Sequence, residues 1–340
     1  MQERILLVMH ARLLPLLFLA APAAAQDAPP AAPAPTAVAP ATGPSATDPT
    51  LVAFTSVDSR MTVPVSIAGA GPYRFLIDTG AQRTVISREL AATLGLATGH
   101  DVRLTAMTGT AAAGTVVIPS IGVTPSATGT AAAFGGGRIE APALLRANLD
   151  ADGMLGLDTL QDRSLSIDFD RRVMAVSPSV RRRRRELSTP GEIVVRARSV
   201  FGQLVVTDAW VGGAKVRLIL DTGSAVSLGN SALRRRLGRR GYPPVPIEIV
   251  SVLGQSMTAD YTRIDRVRLG GLVIDALPVA WADVTPFARF GLADRPAIML
   301  GMDALALFRR VEIDFANREL RLLLPRALAD QRAREGWPPG

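Results

Sequence analysis

The sequence predicts a mainly β protein whose two lobes are tandem copies of one fold. Residues 73–87, YRFLIDTGAQRTVIS, match residues 216–230, VRLILDTGSAVSLGN. A second pair of segments, 154–176 and 299–322, match each other in the same way. The second segment follows the first at nearly the same distance in both copies. A repeat with matched internal spacing is typical of two copies of one structural unit.

Short runs of branched or aromatic residues, each bounded by Gly, Pro or Asp, predict the strands of both copies. The clearest of these runs are 75–77, 116–118, 193–195, 247–249 and 311–313. Helices are expected to be few and short. They are predicted at 87–95 and 230–238, with one or two further turns after Gly156 and Gly301.

Asp158 and Asp303 stand at the start of the last predicted helix of each copy. A carboxylate at the N-cap or in the first turn stabilises a helix because it accepts hydrogen bonds from free backbone N–H groups and complements the helix dipole. The sequence therefore favours a structural role for these two aspartates over a catalytic one.

The first 25 residues have the features of a secretory signal peptide. A basic start and an apolar run precede Ala23 to Ala25, and a small-x-small end is typical of a cleavage site. The alternative is an uncleaved membrane anchor, which the short run, interrupted by His10, Arg12 and Pro15, disfavours. Export predicts a periplasmic or secreted location, and a membrane-anchored one if the segment is retained.

Composition predicts the remaining boundaries. Residues 26–50 consist mainly of Ala, Pro, Thr and Ser, so we expect a disordered tether. The predicted N-terminal lobe is 51–178, the linker 179–190, the C-terminal lobe 191–325 and the tail 326–340. The linker contains the run Arg181 to Arg185, which is expected to stay solvated, with contact to anionic lipid or an acidic partner as the alternative. A second basic group is expected on the exposed face of a helix and comprises Arg234 to Arg236, Arg239 and Arg240.

Composition also excludes several kinds of chemistry. The 340 residues contain no cysteine, and His10 and His100 are the only histidines. A Cys-His pair is impossible, a zinc site with two or three histidines cannot be assembled, and a Ser-His-Asp triad would depend on His100. Carboxylates and hydroxyls remain, and we expect no metal and no cofactor. The net charge of +8 could favour nucleic acid, but aromatics are only 5% and no recognisable motif is present, so we expect no such partner.

The strongest candidate site is an Asp-Thr-Gly tripeptide that occurs once in each copy, directly after three bulky apolar residues. The six residues are Asp78, Thr79, Gly80, Asp221, Thr222 and Gly223. A buried strand therefore delivers each aspartate to a tight turn. If the two turns face each other, the glycines allow the backbones to approach closely, and the threonine hydroxyls can bond the opposite turn.

Two carboxyl groups held this close cannot easily both ionise, so the pair retains one proton over a wide pH range. The ionised group can then take a proton from a water molecule while the protonated group polarises a carbonyl. This chemistry needs neither a metal nor a covalent intermediate, which suits a chain without cysteine.

With these residues the sequence resembles the aspartic proteases of the pepsin and retroviral type. The resemblance rests on FLIDTGA and LILDTGS, and on MLGLDTL and MLGMDAL, each followed by a strand ending in Ile-Asp-Phe. It covers residues 51 to about 325 and implies a bilobal acid-protease fold made of two retropepsin-like β-barrel lobes. Retroviral proteases are homodimers of one copy, and typical secreted pepsins contain cysteines. The chain is therefore most similar to bacterial retropepsin-like proteins with both copies in one chain.

In that family a Gly-tipped hairpin forms a flap over the substrate. The candidates are Met107, Thr108 and Gly109 in the first copy, and Leu253 and Gly254 in the second. They lie at similar distances past the two aspartates. Either could instead be an ordinary turn. A flap in each copy is more similar to the retroviral type than to pepsin, which has one.

The resemblance implies an aspartic endopeptidase that cleaves extended polypeptides, with Asp78 and Asp221 as its catalytic pair. We expect a monomer in which the two lobes pair within one chain around a single site. Pairing of each copy with its twin in another chain, giving two sites, is the alternative arrangement. The alternative function is a catalytically silent peptide-binding or scaffold protein that uses the same cleft.

Overall fold

A computed structural model of the chain describes 25 strands and six short helices. The described residues are 50–53, 55–57, 60–123, 134–160, 163–179, 191–238 and 242–326. They all fall within one structural unit, 44–340. The predicted signal peptide, the tether up to residue 49, the arginine run of the linker and the tail beyond residue 326 lie outside the described residues.

The first half of the described chain contains 13 strands and three helices. In chain order they are β1 (Thr50–Ala53), β2 (Thr55–Val57), β3 (Arg60–Ile67), β4 (Ala70–Ile77), β5 (Val85–Ser87), α1 (Arg88–Thr93), β6 (Thr98–Ala106), β7 (Gly109–Ile118), β8 (Ile121–Val123), β9 (Phe134–Gly136), β10 (Ile139–Leu144), α2 (Arg146–Leu149), β11 (Gly153–Leu155), α3 (Leu157–Leu160), β12 (Arg163–Asp168) and β13 (Val173–Pro178).

The second half contains 12 strands and three helices. In chain order they are β14 (Glu192–Val200), β15 (Gln203–Val211), β16 (Ala214–Leu220), β17 (Leu228–Gly229), α4 (Ser231–Leu237), β18 (Val245–Val250), β19 (Ser256–Ile264), β20 (Val267–Leu269), β21 (Leu272–Ile274), β22 (Leu277–Trp281), α5 (Thr285–Arg289), β23 (Ala297–Leu300), α6 (Met302–Leu305), β24 (Arg310–Asp314) and β25 (Glu319–Leu323).

The described strands form two sheets, which confirms the mainly β class predicted from the sequence. The main path of the larger sheet is β1-β13-β12-β24-β25-β14-β15-β16-β23-β17-β22-β19-β18. The smaller sheet follows β6-β7-β10-β5-β11-β4-β3-β8-β9. Both paths are open, so the strands of the described ranges form two sheets, of which the larger contains strands of both halves, and no closed barrel.

The same strand arrangement delivers the aspartate in each half. β4 pairs antiparallel with β3 and parallel with β11, while β16 pairs antiparallel with β15 and parallel with β23. The last three residues of β4 and of β16 are all buried. A continuous apolar run is typical of a strand covered on both faces, because neither set of alternating side chains can then face water.

The two halves meet through the antiparallel pair β12 and β24, in which Leu165 lies opposite Ile313 and Ile167 opposite Val311. All four side chains are fully buried and belong to one hydrophobic cluster with residues of both halves. The junction is therefore part of the core.

Four helices lie where the sequence predicts them. Helices α1 and α4 fall within the predicted ranges 87–95 and 230–238, and α3 and α6 follow Gly156 and Gly301. Two more, α2 and α5, are missing from the prediction. Their N-cap residues are Leu145 and Val284, and neither makes a side-chain capping bond. The usual polar signal for a helix start is therefore absent from the sequence. None of the helices in the described ranges is long and apolar enough to span a membrane.

Leu165→Ala tests the packing at the junction of the halves. Removing a fully buried side chain leaves a cavity, so we expect the free energy of unfolding to fall by about 2–5 kcal/mol. Val273→Ala is the matched control, since Val273 is 55% exposed and its truncation should change stability by about 0.5 kcal/mol or less. Urea denaturation measures both. Equal losses in the two variants would contradict a packed junction.

Candidate active site

Asp78 and Asp221 each begin the turn that follows a buried strand, after β4 and β16 respectively. The backbone N–H of Asp78 donates to the carbonyl of Leu155 at 3.0 Å, and that of Asp221 donates to the carbonyl of Leu300 at the same distance. Both carbonyls belong to the neighbouring parallel strand. Strand pairing therefore continues up to each aspartate and fixes the position of its backbone.

The two turns are joined by reciprocal hydrogen bonds of their threonines. The hydroxyl of Thr79 accepts from the backbone N–H of Thr222, and that of Thr222 accepts from the N–H of Thr79, both at 3.1 Å. Each hydroxyl also donates across the junction, from Thr79 to the carbonyl of Leu220 at 3.1 Å and from Thr222 to that of Ile77 at 2.8 Å. Both threonines are buried, so this network sets the distance between the turns without competition from water.

Each glycine of the motif lies against the aspartate of the other turn. A Cβ atom at Gly80 would lie 2.7 Å from Oδ1 of Asp221, and one at Gly223 would lie 2.2 Å from Cγ of Asp78. No larger residue fits at either position without moving a carboxyl group. The backbones therefore approach as closely as the sequence motif allows, and the two carboxyl groups share one site.

The two aspartates differ in burial although their backbones are equivalent. Asp221 is only 4% exposed, whereas Asp78 is partly exposed. Oδ1 of Asp78 accepts from the backbone N–H groups of Gly80 at 2.7 Å and Ala81 at 2.9 Å. Burial raises the pKa of Asp221 well above its usual range, and the neighbouring charge of Asp78 and a hydrogen bond with it raise it further.

A second pair of aspartates lies behind the turns. Asp158 accepts from the hydroxyl and the backbone N–H of Thr84, at 2.7 and 2.9 Å, and the Thr84 hydroxyl accepts from the N–H of Gly156 at 3.1 Å. The expected role was an N-cap or first-turn carboxylate. Asp158 does lie in the first turn of α3, but these bonds connect it to the chain that leads away from the Asp78 turn.

The other half repeats this arrangement. Asp303 accepts from the hydroxyl and the N–H of Ser227, at 2.6 and 2.9 Å, and the Ser227 hydroxyl accepts from the N–H of Gly301 at 3.0 Å. The N-cap of α6 is Gly301 and not Asp303, so the N-cap option is wrong for this residue. Burial raises the pKa of Asp303, and its hydrogen bonds partly oppose that shift. The repeat contains a signal for Thr84 and Ser227, because each hydroxyl residue stands six residues after the Asp-Thr-Gly aspartate of its own half.

The candidate flaps are the turns of two hairpins, β6–β7 and β18–β19. Met107 and Thr108 form the first turn, and Gly109 begins β7. Leu253 and Gly254 lie in the second turn. Both glycines have positive φ, of 148° and 80°, a conformation that favours glycine.

The tips of the hairpins contact each other. The hydroxyl of Thr108 donates to Oε1 of Gln255 at 2.7 Å, and the carbonyl of Met107 accepts from the N–H of Thr285 in α5 at 3.0 Å. Leu253 packs on a hydrophobic cluster of the first half that includes Leu149. Each tip therefore crosses to the opposite half.

Sequence reasoning missed two residues that receive the tips, namely Thr285, which bonds Met107, and Asn148, whose side chain lies close to Gly254. It also missed Gln203, whose amide Nε2 donates to the carbonyl of Gly80. None of them belongs to a repeated motif, and their positions depend on how the two halves pack. No signal in the sequence alone identifies them.

The fold and the site define a class of two-lobed β proteins with a facing pair of carboxyl groups at the lobe junction. A family model described as aspartyl protease matches the chain twice, over residues 63–159 and 207–304. These matches cover more than half of the chain, and the chain belongs to the aspartyl protease family. The tandem matches confirm the resemblance inferred from the two motifs. A comparison with curated proteins finds no match.

Thr222→Val tests the bonds between the turns. Valine keeps the shape of threonine but leaves the buried carbonyl of Ile77 and N–H of Thr79 without this partner, so we expect the free energy of unfolding to fall by about 2–5 kcal/mol. Thr98→Val, at an exposed position, is the control and should change stability by about 0.5 kcal/mol or less. Chemical denaturation measures both, and a loss equal to that of the control would contradict the network.

The raised pKa of Asp221 predicts a pH dependence of stability. Above the unfolded-state pKa of about 3.9, the folded state binds more protons than the unfolded state, so the free energy of unfolding falls as the pH rises towards the folded-state pKa. Asp221→Asn removes this group. We expect the stability of the variant relative to the wild type to increase between about pH 4 and pH 7, by at most about 1.4 kcal/mol per pH unit.

Denaturation at a series of pH values measures this difference. Asp208→Asn, which removes an exposed carboxyl group, is measured in the same series as the control. A flat difference between Asp221→Asn and the wild type would contradict the raised pKa.

Proposed function

We propose that the protein is an aspartic endopeptidase that hydrolyses peptide bonds at one site formed by Asp78 and Asp221. The observation that supports this most directly is the reciprocal fit of each carboxyl group against the glycine of the opposite turn. That arrangement holds two carboxyl groups together in a network of buried hydrogen bonds. Membership of the aspartyl protease family supports the same reaction class.

In this proposal Asp221 carries the shared proton, because it is the more buried of the two and its pKa is raised. Asp78 is the ionised group in this proposal, because it is partly exposed. Two backbone N–H groups donate to its carboxylate, but Asp221 also accepts from the backbone N–H of Gly223 at 3.1 Å, so exposure and not the backbone bonds separates the two groups. One proton is thus divided between an acid and a base at the same site, which is the requirement for concerted acid and base catalysis.

The reaction follows from these two states. Asp78 takes a proton from a water molecule as the water oxygen attacks the carbonyl carbon of the substrate. Asp221 donates its proton to the carbonyl oxygen, which gives a neutral tetrahedral diol. In the second step a proton moves from Asp78 to the amide nitrogen, the C–N bond breaks, and Asp221 recovers its proton from a hydroxyl of the diol. Atoms and charges balance, and the pair returns to its starting state.

The flap residues Met107, Thr108, Gly109, Leu253 and Gly254 are proposed to close over an extended polypeptide. Hairpin tips offer backbone N–H and C=O groups that can pair with an extended chain, which is a common way to bind peptides without reading their sequence. The hydrogen bond between Thr108 and Gln255 joins the two tips, which supports a role in which both hairpins act together. Polypeptide substrates are therefore the proposed partners.

Two further parts of the proposal concern the whole molecule. The protein is proposed to act as a monomer, because the cross-bonded turns belong to the same chain. A periplasmic or secreted location is proposed from the sequence of residues 1–25, with a membrane-anchored form if that segment is retained.

Asp78→Asn and Asp221→Asn test the proposed function. Each should lower kcat for cleavage of a peptide library by roughly a thousandfold or more, because each removes one half of the acid and base pair. Asp208→Asn, at an exposed position of β15 that belongs to neither motif, is the matched control and should keep wild-type activity. Mass spectrometry of the digests between pH 3 and 7 measures cleavage.

The outcomes separate the alternatives. Complete loss of cleavage in both single variants supports one shared site. A mixture of the two variants should then show no cleavage either. Partial activity in each variant would instead indicate two sites between chains. A wild-type protein that binds peptides but never cleaves them would overturn the proposal in favour of a peptide-binding scaffold.

A further inference from the structure

A groove on the second half lies at the other end of β16 from Asp221. It has a volume of about 670 Å³. We call it the Trp210 groove, and its main lining residues are Trp210, Lys215, Ala232, Arg235, Arg236 and Asp294. Lys215 stands near the start of β16 and precedes Asp221 by six positions. At about 3.3 Å per strand residue, the groove is roughly 20 Å from the proposed catalytic pair.

The charge of the Trp210 groove is mainly positive and is not neutralised within the protein. Among the salt bridges of the described residues, none involves Lys215, Arg235 or Arg236, although the adjacent Arg234 pairs with Asp260 at 2.5 Å. All three side chains are exposed. The only acidic residue among those lining the groove is Asp294. Three cationic groups therefore face one concave surface with a single carboxylate.

Trp210 places an aromatic ring among these charges. The ammonium group of Lys215 lies 5.7 Å from the ring centroid and the guanidinium of Arg268 lies 5.4 Å from it. These contacts orient both cations beside the ring. The groove thus combines directed positive charge with an apolar wall, a combination that suits a ligand with both anionic and carbon-rich parts.

The repeat provides an internal comparison, because the first half contains a corresponding hairpin without these side chains, although the register of that hairpin shifts between Val65 and Ile67, next to its turn. The turn of the hairpin β3–β4 is flanked by the paired residues Ile67 and Ala70, and that of β15–β16 by Val211 and Ala214. Aligned on those pairs, Trp210 and Lys215 correspond to Ser66 and Gly71. The fold therefore forms this hairpin with neither an aromatic ring nor a cation.

The helices α1 and α4 can be compared in the same way. α1 and α4 both start after an N-cap whose side chain accepts from the N–H three residues later. Aligned on these caps, Arg235 and Arg236 correspond to Ala92 and Thr93. Basic residues in a last helical turn contribute only about 0.3–1 kcal/mol to the helix. The first half thus forms the corresponding hairpin and helix with none of the four side chains that give the groove its chemistry.

From this geometry we propose that the Trp210 groove binds an acidic segment of a polypeptide. Glutamate and aspartate carboxylates would pair with Lys215, Arg235 and Arg236, and the apolar parts of the segment would lie along Trp210. Asp294 favours a peptide over a phosphate-rich surface, since a peptide also brings backbone N–H donors that a carboxylate accepts. The concave shape favours a single chain over a flat lipid surface.

The role of this segment rests on the proposed function: it belongs to the substrate, outside the bond that is cut. An extended chain covers roughly 20 Å with six residues. The acidic segment should therefore lie at least about six residues from the cleavage site. Binding there would raise the local concentration of the scissile segment at the pair of aspartates.

Binding is tested apart from cleavage, using the full chain carrying Asp78→Asn. The probes are a fluorescein-labelled hexaglutamate peptide, a hexaglutamine peptide, and vesicles of phosphatidylglycerol. The test variant is Arg235→Ala with Arg236→Thr, which places the alanine and threonine of α1 at the same positions of α4. The control is Arg171→Ala with Arg198→Ala, two exposed arginines outside the groove. Lys215→Gln removes a charge outside the helix, in case the double variant does not fold.

Fluorescence anisotropy should show hexaglutamate binding that weakens by about tenfold or more in the double variant, and in the same direction in Lys215→Gln. The control variant should bind as the parent does, and hexaglutamine should not bind. An equal loss in the control would overturn the groove in favour of net charge alone. Binding to the vesicles without binding to hexaglutamate would replace the peptide with a membrane surface.

Cleavage by the wild-type chain separates this proposal from the previous one. A substrate with six glutamates placed beyond the cleavage site should have a higher kcat/KM than its glutamine counterpart, and the double variant should lose that advantage only. Hexaglutamate binding without any cleavage would overturn the proposed function and leave the groove intact. Cleavage without hexaglutamate binding would overturn the groove.

Discussion

The close contact between each carboxyl group and the glycine of the opposite turn is the constraint on which the rest of the molecule depends. Two acidic groups repel each other when both are ionised, so a fold that holds them together must oppose that repulsion. The crossed threonine bonds do so at the turns, and the buried strand pair β12–β24 does so at the junction. Burial first, and the neighbouring charge of Asp78 second, raise the pKa of Asp221, and a proton held there relieves the remaining repulsion.

The repeat made much of this accessible from the sequence. Two copies of Asp-Thr-Gly after apolar runs were enough to place both turns at the ends of buried strands, because such runs fit only strands covered on both faces. Gly156 and Gly301, at nearly equal distances after the two aspartates, located α3 and α6. What the sequence could not show depends on contacts between distant segments. The contact between Thr108 and Gln255 joins two hairpin tips, and no local pattern encodes which tips will meet.

The helices α2 and α5 show a different limit. A helix start is recognised from a polar cap, but Leu145 and Val284 supply no such bond. Pro286 lies in the first turn of α5, where proline is compatible with a helix start. Both helices also contact the hairpin tips: α5 donates a backbone N–H to Met107, and Asn148 of α2 lies against Gly254.

The two halves share a backbone plan but not an environment. Asp221 is buried where Asp78 is partly exposed, and in the proposed mechanism this difference divides the pair into an acid and a base. The halves differ at the surface as well. The first half forms the corresponding hairpin and helix with Ser66, Gly71, Ala92 and Thr93, so the shared plan does not itself require the aromatic ring and the cations of the Trp210 groove. The proposed peptide-binding groove is therefore specific to the second half, whereas the core that holds the two aspartates together belongs to both halves.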